Sequence, residues 1–241
     1  MGKVAVRVVM LCAGKGGVGK TRISLNIAKR LSWRTRVGVC DADFDGPDVL
    51  QQLGAEGMKL GPPAPNHQMV PLVIEGMRVI STSAMVKRSD IGAAWGGEKK
   101  AQMLHEFIGN VEWGDTDFLV VDCPAGISEQ MMALANTYEV VGAVIVSTPD
   151  PVAQLDAKKV VRLFQAREVP IVGVLENMAF RKCPHCGYDD FMFGNDDVAG
   201  NVAAAYGVPF LGKVPWQDRS KGLTIESSVL DRLAERLLAE Q

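Results

Sequence analysis

A chain of 241 residues that is 47% apolar has enough hydrophobic side chains for a full core, and its net charge of −2 leaves no basic surplus for a nucleic-acid backbone. No apolar run reaches the ~20 residues of a membrane span, and five cysteines without paired spacing do not make a secreted disulfide framework. The expectation is a reducing, cytoplasmic protein with no membrane or nucleic-acid partner. The first element, residues 4–12, is an apolar, β-branched run that reads as a buried strand; because it carries Arg7 and leads directly into a glycine-rich turn, it is not read as a signal peptide.

That turn is Gly14-Lys15-Gly16-Gly17-Val18-Gly19-Lys20-Thr21, which satisfies the phosphate-loop pattern G-x-x-x-x-G-K-[ST] at every fixed position. Ile23, Ile27, Ala28 and Leu31 then recur at helical spacing, so a helix starts near Lys20. Strand, glycine turn and helix are the context the motif requires. Gly16, Gly17, Val18 and Gly19 supply inward-pointing N–H groups for an anion, and the helix N-terminus adds partial positive charge. Lys20 is aimed at the β- and γ-phosphates and the Thr21 hydroxyl at Mg²⁺. The bland alternative is a glycine-rich strand–helix turn with no ligand.

Further along, strands are expected at residues 37–40, 118–121, 140–146, 171–175 and 210–214, and helices at 48–53, 99–108, 127–136, 151–167, 198–206 and 225–240. Residues 69–74 and 77–81 flank Glu75-Gly76 as a hairpin or two short strands, 54–66 is a loop, and 83–97 is irregular. Strands alternating with helices predict an α/β fold: a doubly wound, mainly parallel sheet with helices on both faces and ligands at the carboxyl ends of its strands. One domain over 1–241 is expected, with loop 177–194 as an insertion.

Asp122 ends the strand at 118–121, where a phosphate loop needs a carboxylate for its Mg²⁺. Gly126, four residues on, is placed to offer its N–H to a γ-phosphate. Asp41 and Asp43 follow the second strand; Asp43 is assigned to the attacking water and Asp41 to the metal's water shell. The alternative is that these acids only cap helices. Asn177 follows the strand at 171–175, and an Asn amide pairs with adenine N6 and N7. Because Asn177-Met178-Ala179-Phe180 lacks the Asp of a guanine reader, ATP is favoured over GTP. Pro215 and Trp216 either wall the base or, for Trp216, pack into the core.

Lys15 is not required by the general pattern. It resembles the signature lysine of the deviant Walker A family, which includes MinD, ParA, nitrogenase iron protein and the Mrp/ApbC group. The resemblance implies that Lys15 acts with Lys20 and Asp43 in catalysis, crossing a homodimer interface to the partner's nucleotide; a solvated lysine is the alternative. The closest resemblance is to Mrp/ApbC-type ATPases, and it covers nearly the whole chain. It is carried by the loop itself, Asp41-Ala42-Asp43 with Gly46-Pro47, Trp113-Gly114 leading to Asp117 and Asp122, Leu175-Glu176-Asn177-Met178, and Cys183-Pro184-His185-Cys186-Gly187. It implies an ATP-hydrolysing carrier that delivers a 4Fe–4S cluster to apo iron–sulfur client proteins. Two departures stand out: Cys123-Pro124-Ala125-Gly126-Ile127-Ser128 is closer to the MinD branch, and the first switch lacks the usual Tyr-Gly-Pro-Ser.

Cys183 and Cys186 supply two thiolates, whereas a 4Fe–4S cluster or a Cys₄ zinc site needs four. A two-fold dimer duplicates whatever lies on its axis and would complete the set. Zinc, a thiol-exchange role and two free thiols remain alternatives. His185 reads as a solvated loop residue, and Cys12, Cys40 and Cys123 as small apolar core residues. The terminal helix mixes Asp231, Arg232, Glu235 and Arg236 on its polar side, which suits packing on the sheet better than binding anionic lipid. The competing function is a MinD/ParA-like ATP-dependent positioning switch with zinc or nothing on the cysteines.

Overall fold

The computed structural model describes residues 6–85, 96–194, 197–218, 220 and 222–239. The start of the first expected strand (residues 4–5), most of the irregular stretch (86–95) and Glu240 of the last helix lie outside them. The described strands are β1 Arg7–Ala13, β2 Val37–Asp41, β3 Leu72–Ile74, β4 Met77–Ile80, β5 Phe118–Ala125, β6 Val140–Ser147, β7 Ile171–Glu176, β8 Arg181–Lys182, β9 Asp189–Asp190 and β10 Phe210–Lys213. The helices are α1 Lys20–Ser32, α2 Val49–Gln52, α3 Gly97–Gly109, α4 Glu129–Thr137, α5 Pro151–Ala166, α6 Val198–Tyr206 and α7 Ser228–Ala239.

Eight strands form one sheet in the order β10-β7-β6-β1-β5-β2-β4-β3. Every pairing is parallel except β3 with β4, whose Glu75-Gly76 turn has positive φ at both residues, the conformation that suits a two-residue hairpin. Alternation along β1 explains the two-sided core. Val8, Met10 and Cys12 face a layer from α3, α4, α5 and α6, with Phe107 and Phe164 at its centre. Val9, Leu11 and Ala13 face α1, α2 and α7, through Ile23, Ile27, Leu31, Leu233 and Leu237. Truncating any of these large buried side chains to Ala removes about 2–5 kcal/mol of stability.

Several boundaries shift by one to three residues, and three differences from expectation have a local reason. β5 runs past Asp122 to Ala125, because a bulge lets Cys123 and Pro124 lie opposite the single residue Cys12, and Ala125 then rejoins Ala13. Asp122 is therefore inside its strand and not at its end. α7 begins at Ser228 rather than at residue 225, because the Ile225 N–H is held by Asn26 Oδ1 at 2.7 Å. Loop 177–194 contains the β8–β9 hairpin, held by Arg181 opposite Asp190 and Lys182 opposite Asp189.

The apolar stripe of α7 is consumed by the core, with Leu230, Leu233, Ala234 and Leu237 buried. Arg30 of α1, itself buried, bonds Asp231 at 2.7 Å, the Ile225 carbonyl at 2.7 Å and the Asn26 carbonyl at 3.2 Å. Among the described residues, no helix is long and apolar enough to cross a membrane.

Candidate functional site

The glycine turn leaves β1 at the carboxyl edge of the sheet and enters α1 at Gly19, whose φ of 81° is left-handed. Two glycines are fixed by crowding. A Cβ on Gly14 would lie 2.3 Å from the Asp156 backbone of α5, and one on Gly19 would lie 2.4 Å from Asn177 Nδ2. The turn is thus clamped between α5 and the end of β7.

Asp122 is the hub. Its Oδ1 accepts from Lys20 Nζ at 2.7 Å and Ser24 Oγ at 2.6 Å, and its Oδ2 from Thr21 Oγ1 at 2.7 Å. In the ladder Asp122 pairs directly with Asp41 of β2, so two fully buried carboxylates lie side by side. Burial, and then the Asp122 charge, push the Asp41 carboxyl well above the ordinary range, although Ser81 Oγ donates to it at 2.9 Å and the Val49 N–H at 3.3 Å. The second bond caps α2, so Asp41 has the capping role as well as its place beside Asp122. Burial also raises Asp43, against the pull of Lys20 and the Gly46 N–H. Burial lowers the Lys20 ammonium, but Asp122 outweighs it and the net shift is upward. Among the described residues no three acids converge as a metal site, but the paired Asp122 carboxylate and Thr21 hydroxyl are hard oxygen donors of the kind a divalent cation such as Mg²⁺ takes.

Lys15 lies on the rim and is ion-paired with Asp150 of the same chain, which also caps α5 through the Val152 N–H at 2.8 Å. The Gly126 N–H, expected to face a γ-phosphate, is bonded to the Ala13 carbonyl at 2.8 Å. Asn177 is buried, and its Nδ2 donates to the Val18 carbonyl at 2.8 Å, tying the end of β7 to the loop. A cavity of about 340 Å³ opens beside it, lined by Gly19, Arg22, Asn177, Met178, Pro215 and Trp216. Trp216 is a cavity wall and not a core residue.

The cysteines sit at the tip of the β8–β9 hairpin. The Cys183 N–H donates to the Tyr188 carbonyl at 2.8 Å, and the Gly187 N–H to the Cys183 carbonyl at 2.9 Å. This tight turn aims the His185 and Cys186 backbone N–H groups at the Cys183 sulfur and holds its thiol below the ordinary value. Cys183 is half-buried and Cys186 exposed, and among the described residues no third His, Cys, Asp or Glu joins them as a ligand. Cys12, Cys40 and Cys123 are fully buried, and burial pushes the thiols of Cys12 and Cys40 up, away from ligand chemistry.

Sequence reasoning missed Ser24, Ser81 and Asp150. Ser24 lies one helical turn beyond Lys20, on the same face of α1, and that spacing was the available signal. Asp150-Pro151 is a helix-start pair, which marks the cap but not its lysine partner.

A strand, a clamped glycine loop, an Asp-bound Lys-Thr pair and a nucleoside-sized cavity at the carboxyl edge of a parallel sheet define a phosphate-loop NTPase. The chain belongs to the ParA-type family of NUBPL iron-transfer P-loop NTPases, whose model matches residues 4–230. It is 36% identical over 209 residues to an iron-sulfur cluster carrier protein of Aquifex aeolicus, covering 86% of this chain and 57% of that one. It is 34% identical over 218 residues to a carrier protein of the same name from Methanocaldococcus jannaschii, covering 89% and 74%. The chain thus spans little more than half the length of the first bacterial relatives it matches. Among solved structures it is similar to a nucleotide-binding protein of Archaeoglobus fulgidus in complex with ADP (TM-score 0.73, 27% identity, 98% and 88% covered). Pyrococcus furiosus MinD, 20% identical with TM-score 0.66 over 98% and 99%, shares the fold.

Proposed function

We propose that this chain binds and hydrolyses Mg²⁺-ATP in a reducing cytoplasm and, as a homodimer, carries a 4Fe–4S cluster on Cys183 and Cys186 of both copies for delivery to apo iron–sulfur proteins. The observation that carries the reading is the hairpin tip: a turn built to lower one thiol, beside a second thiol, in a chain that supplies no further ligand there among its described residues. A four-thiolate cargo then calls for two chains. The family and the similarly named relatives support the cargo.

Catalysis in this reading is positioning and charge neutralisation. The loop N–H groups of Gly16, Gly17, Val18 and Gly19 hold the phosphates, and Lys20 neutralises the β- and γ-oxygens. Thr21 and Asp122 hold Mg²⁺, which supplies charge stabilisation when bound; Asp41 orders its water shell, and Asp43 orients the attacking water. Lys15 leaves Asp150 for the partner's phosphates. Their ion pair is solvent-screened and weakly held, so a polyphosphate competes with it readily. Asn177 keeps Nδ2 on Val18 and offers Oδ1 to the adenine amine, with Pro215 flanking the ring.

Anaerobic reconstitution with iron and sulfide tests the cargo. The expected product is brown, with broad thiolate–iron absorbance near ~400 nm that a Cys183→Ser/Cys186→Ser variant loses. A colourless protein holding only zinc would reject the cluster and favour the positioning-switch reading.

A further inference from the structure

The base cavity and the cysteine hairpin share a wall. Behind Trp216 lies a second, larger groove of about 890 Å³, lined by Arg181, Lys182, Pro184, Trp216, Glu226 and Ser228. Pro184 lies between the two cysteines in sequence, so one indole borders both the nucleoside cavity and the foot of the metal-ligand turn.

The backbone makes the same connection. The pairing of β7 with β10 continues past both strand ends as a zipper: the Val214 N–H donates to the Glu176 carbonyl at 2.8 Å, Ala179 to Val214 at 3.0 Å, and Trp216 to Phe180 at 2.7 Å. The next residue after Phe180 opens β8. Phe180 also meets Phe191, just beyond β9, with ring centroids 5.8 Å apart, so both legs of the hairpin are gathered on one aromatic pair. Between Asn177 and this zipper stands Met178, a non-glycine residue at φ 57° that lines the base cavity. Such a conformation is uncommon for a long side chain and persists where its surroundings enforce it.

We propose that the nucleobase, rather than the phosphates, sets the state of the cysteine hairpin, with Trp216 as the positioning residue. The inference rests on the nucleotide-binding part of the function proposed above and goes beyond it. Trp216 is 37% exposed, leaving ring surface on which a planar base can stack. A stacked base fixes the indole, the indole fixes the segment bonded to it, and that segment is the root of β8. Coupling between sites is reciprocal, so a metal held by Cys183 and Cys186 tightens nucleotide binding by the same factor.

The test uses the reduced, metal-free full chain, limiting iodoacetamide and peptide mass spectrometry. Buried Cys12, Cys40 and Cys123 serve as internal controls for unfolding. Mg²⁺-ADP is expected to slow alkylation of Cys183 and Cys186 about fivefold, at the low end of usual couplings. Mg²⁺-pyrophosphate occupies the phosphate loop without a base and should leave both rates unchanged; neither ligand carries a γ-phosphate. At saturating ADP, Trp216→Phe keeps the protection and Trp216→Ala loses it. If Trp216→Ala fails to fold by circular dichroism, Phe191→Ala, which removes the ring contact, should lose most of the protection instead. Equal protection by pyrophosphate, or full protection in a folded Trp216→Ala variant (or, in its place, in Phe191→Ala), overturns the proposal. Displacement of a fluorescent nucleotide is measured in parallel. ADP that binds yet leaves thiol rates unchanged sinks this inference alone, whereas ADP that does not bind sinks the nucleotide reading with it.

Discussion

Replacing Gly19 by Ala puts two separate penalties on one methyl group. The first is backbone: a left-handed φ of 81° costs a Cβ-bearing residue about 1–2 kcal/mol. The second is steric: the new Cβ would stand 2.4 Å from Asn177 Nδ2, so the amide must swing away from the Val18 carbonyl it holds at 2.8 Å. Leaving that acceptor unsatisfied beside a buried side chain adds about 1–3 kcal/mol. The sum, about 2–5 kcal/mol, should move a urea midpoint down by roughly 1 M or more. Gly16→Ala is the internal control, since its Cβ meets nothing within 4 Å and its φ is not left-handed. It should stay within about 0.5 kcal/mol of the parent. Paired urea titrations followed by circular dichroism decide the matter. Equal midpoints for the two variants would refute the clamp between the glycine loop and Asn177.

Three further outcomes follow from other parts of the molecule. Burial raises the Glu176 carboxyl above its ordinary 4.5, so the folded chain holds more proton than the unfolded one, and stability falls as pH rises from about 4.5 through the raised value. Glu176→Gln still accepts the Ala199 N–H bonded at 2.8 Å, and should gain stability relative to the parent as pH rises across that window; a flat or inverted difference contradicts the burial argument. The Cys183 thiol, lowered by backbone N–H groups, should keep reacting with iodoacetamide below the ordinary thiol value of 9.0, with an inflection that a Cys183→Ser variant lacks; an inflection at or above 9 counts against the turn geometry. Arg30→Ala removes the bonds to Asp231, Ile225 and Asn26 and should lower stability by about 2–3 kcal/mol. It should also strip hydrogen-exchange protection from α7, and unchanged protection there would show that the helix does not depend on Arg30.

The sheet and its helices were legible because β-branched apolar runs and helical spacing are local signals, and the order of segments implied parallel pairing. The glycine loop, Thr21 and the acids at the sheet edge were legible because phosphate chemistry fixes their spacing. What escaped depends on distant partners. Nothing near Lys15 announces Asp150, and nothing near Val18 announces Asn177. The extension of β5 through Pro124 needed the bulge opposite Cys12, which exists only once two strands are aligned. The β8–β9 hairpin was hidden because two-residue strands have no periodicity to read; their pairing rests on Arg181, Lys182, Asp189 and Asp190 facing across the turn.

The clasp of Arg30 and Asn26 on the segment around residue 225 has a consequence for how the molecule is made. A ribosome delivers the glycine loop and α1 well before the pieces that roof α1 and wall the cavity, which emerge about 180 residues later in the N-to-C order of synthesis. Until then Ile23, Ile27 and Leu31 have no α7 to cover them, and the indole of the cavity wall does not yet exist. A nascent chain is thereby prevented from completing the cavity beside the glycine loop before its cysteine hairpin has been synthesised.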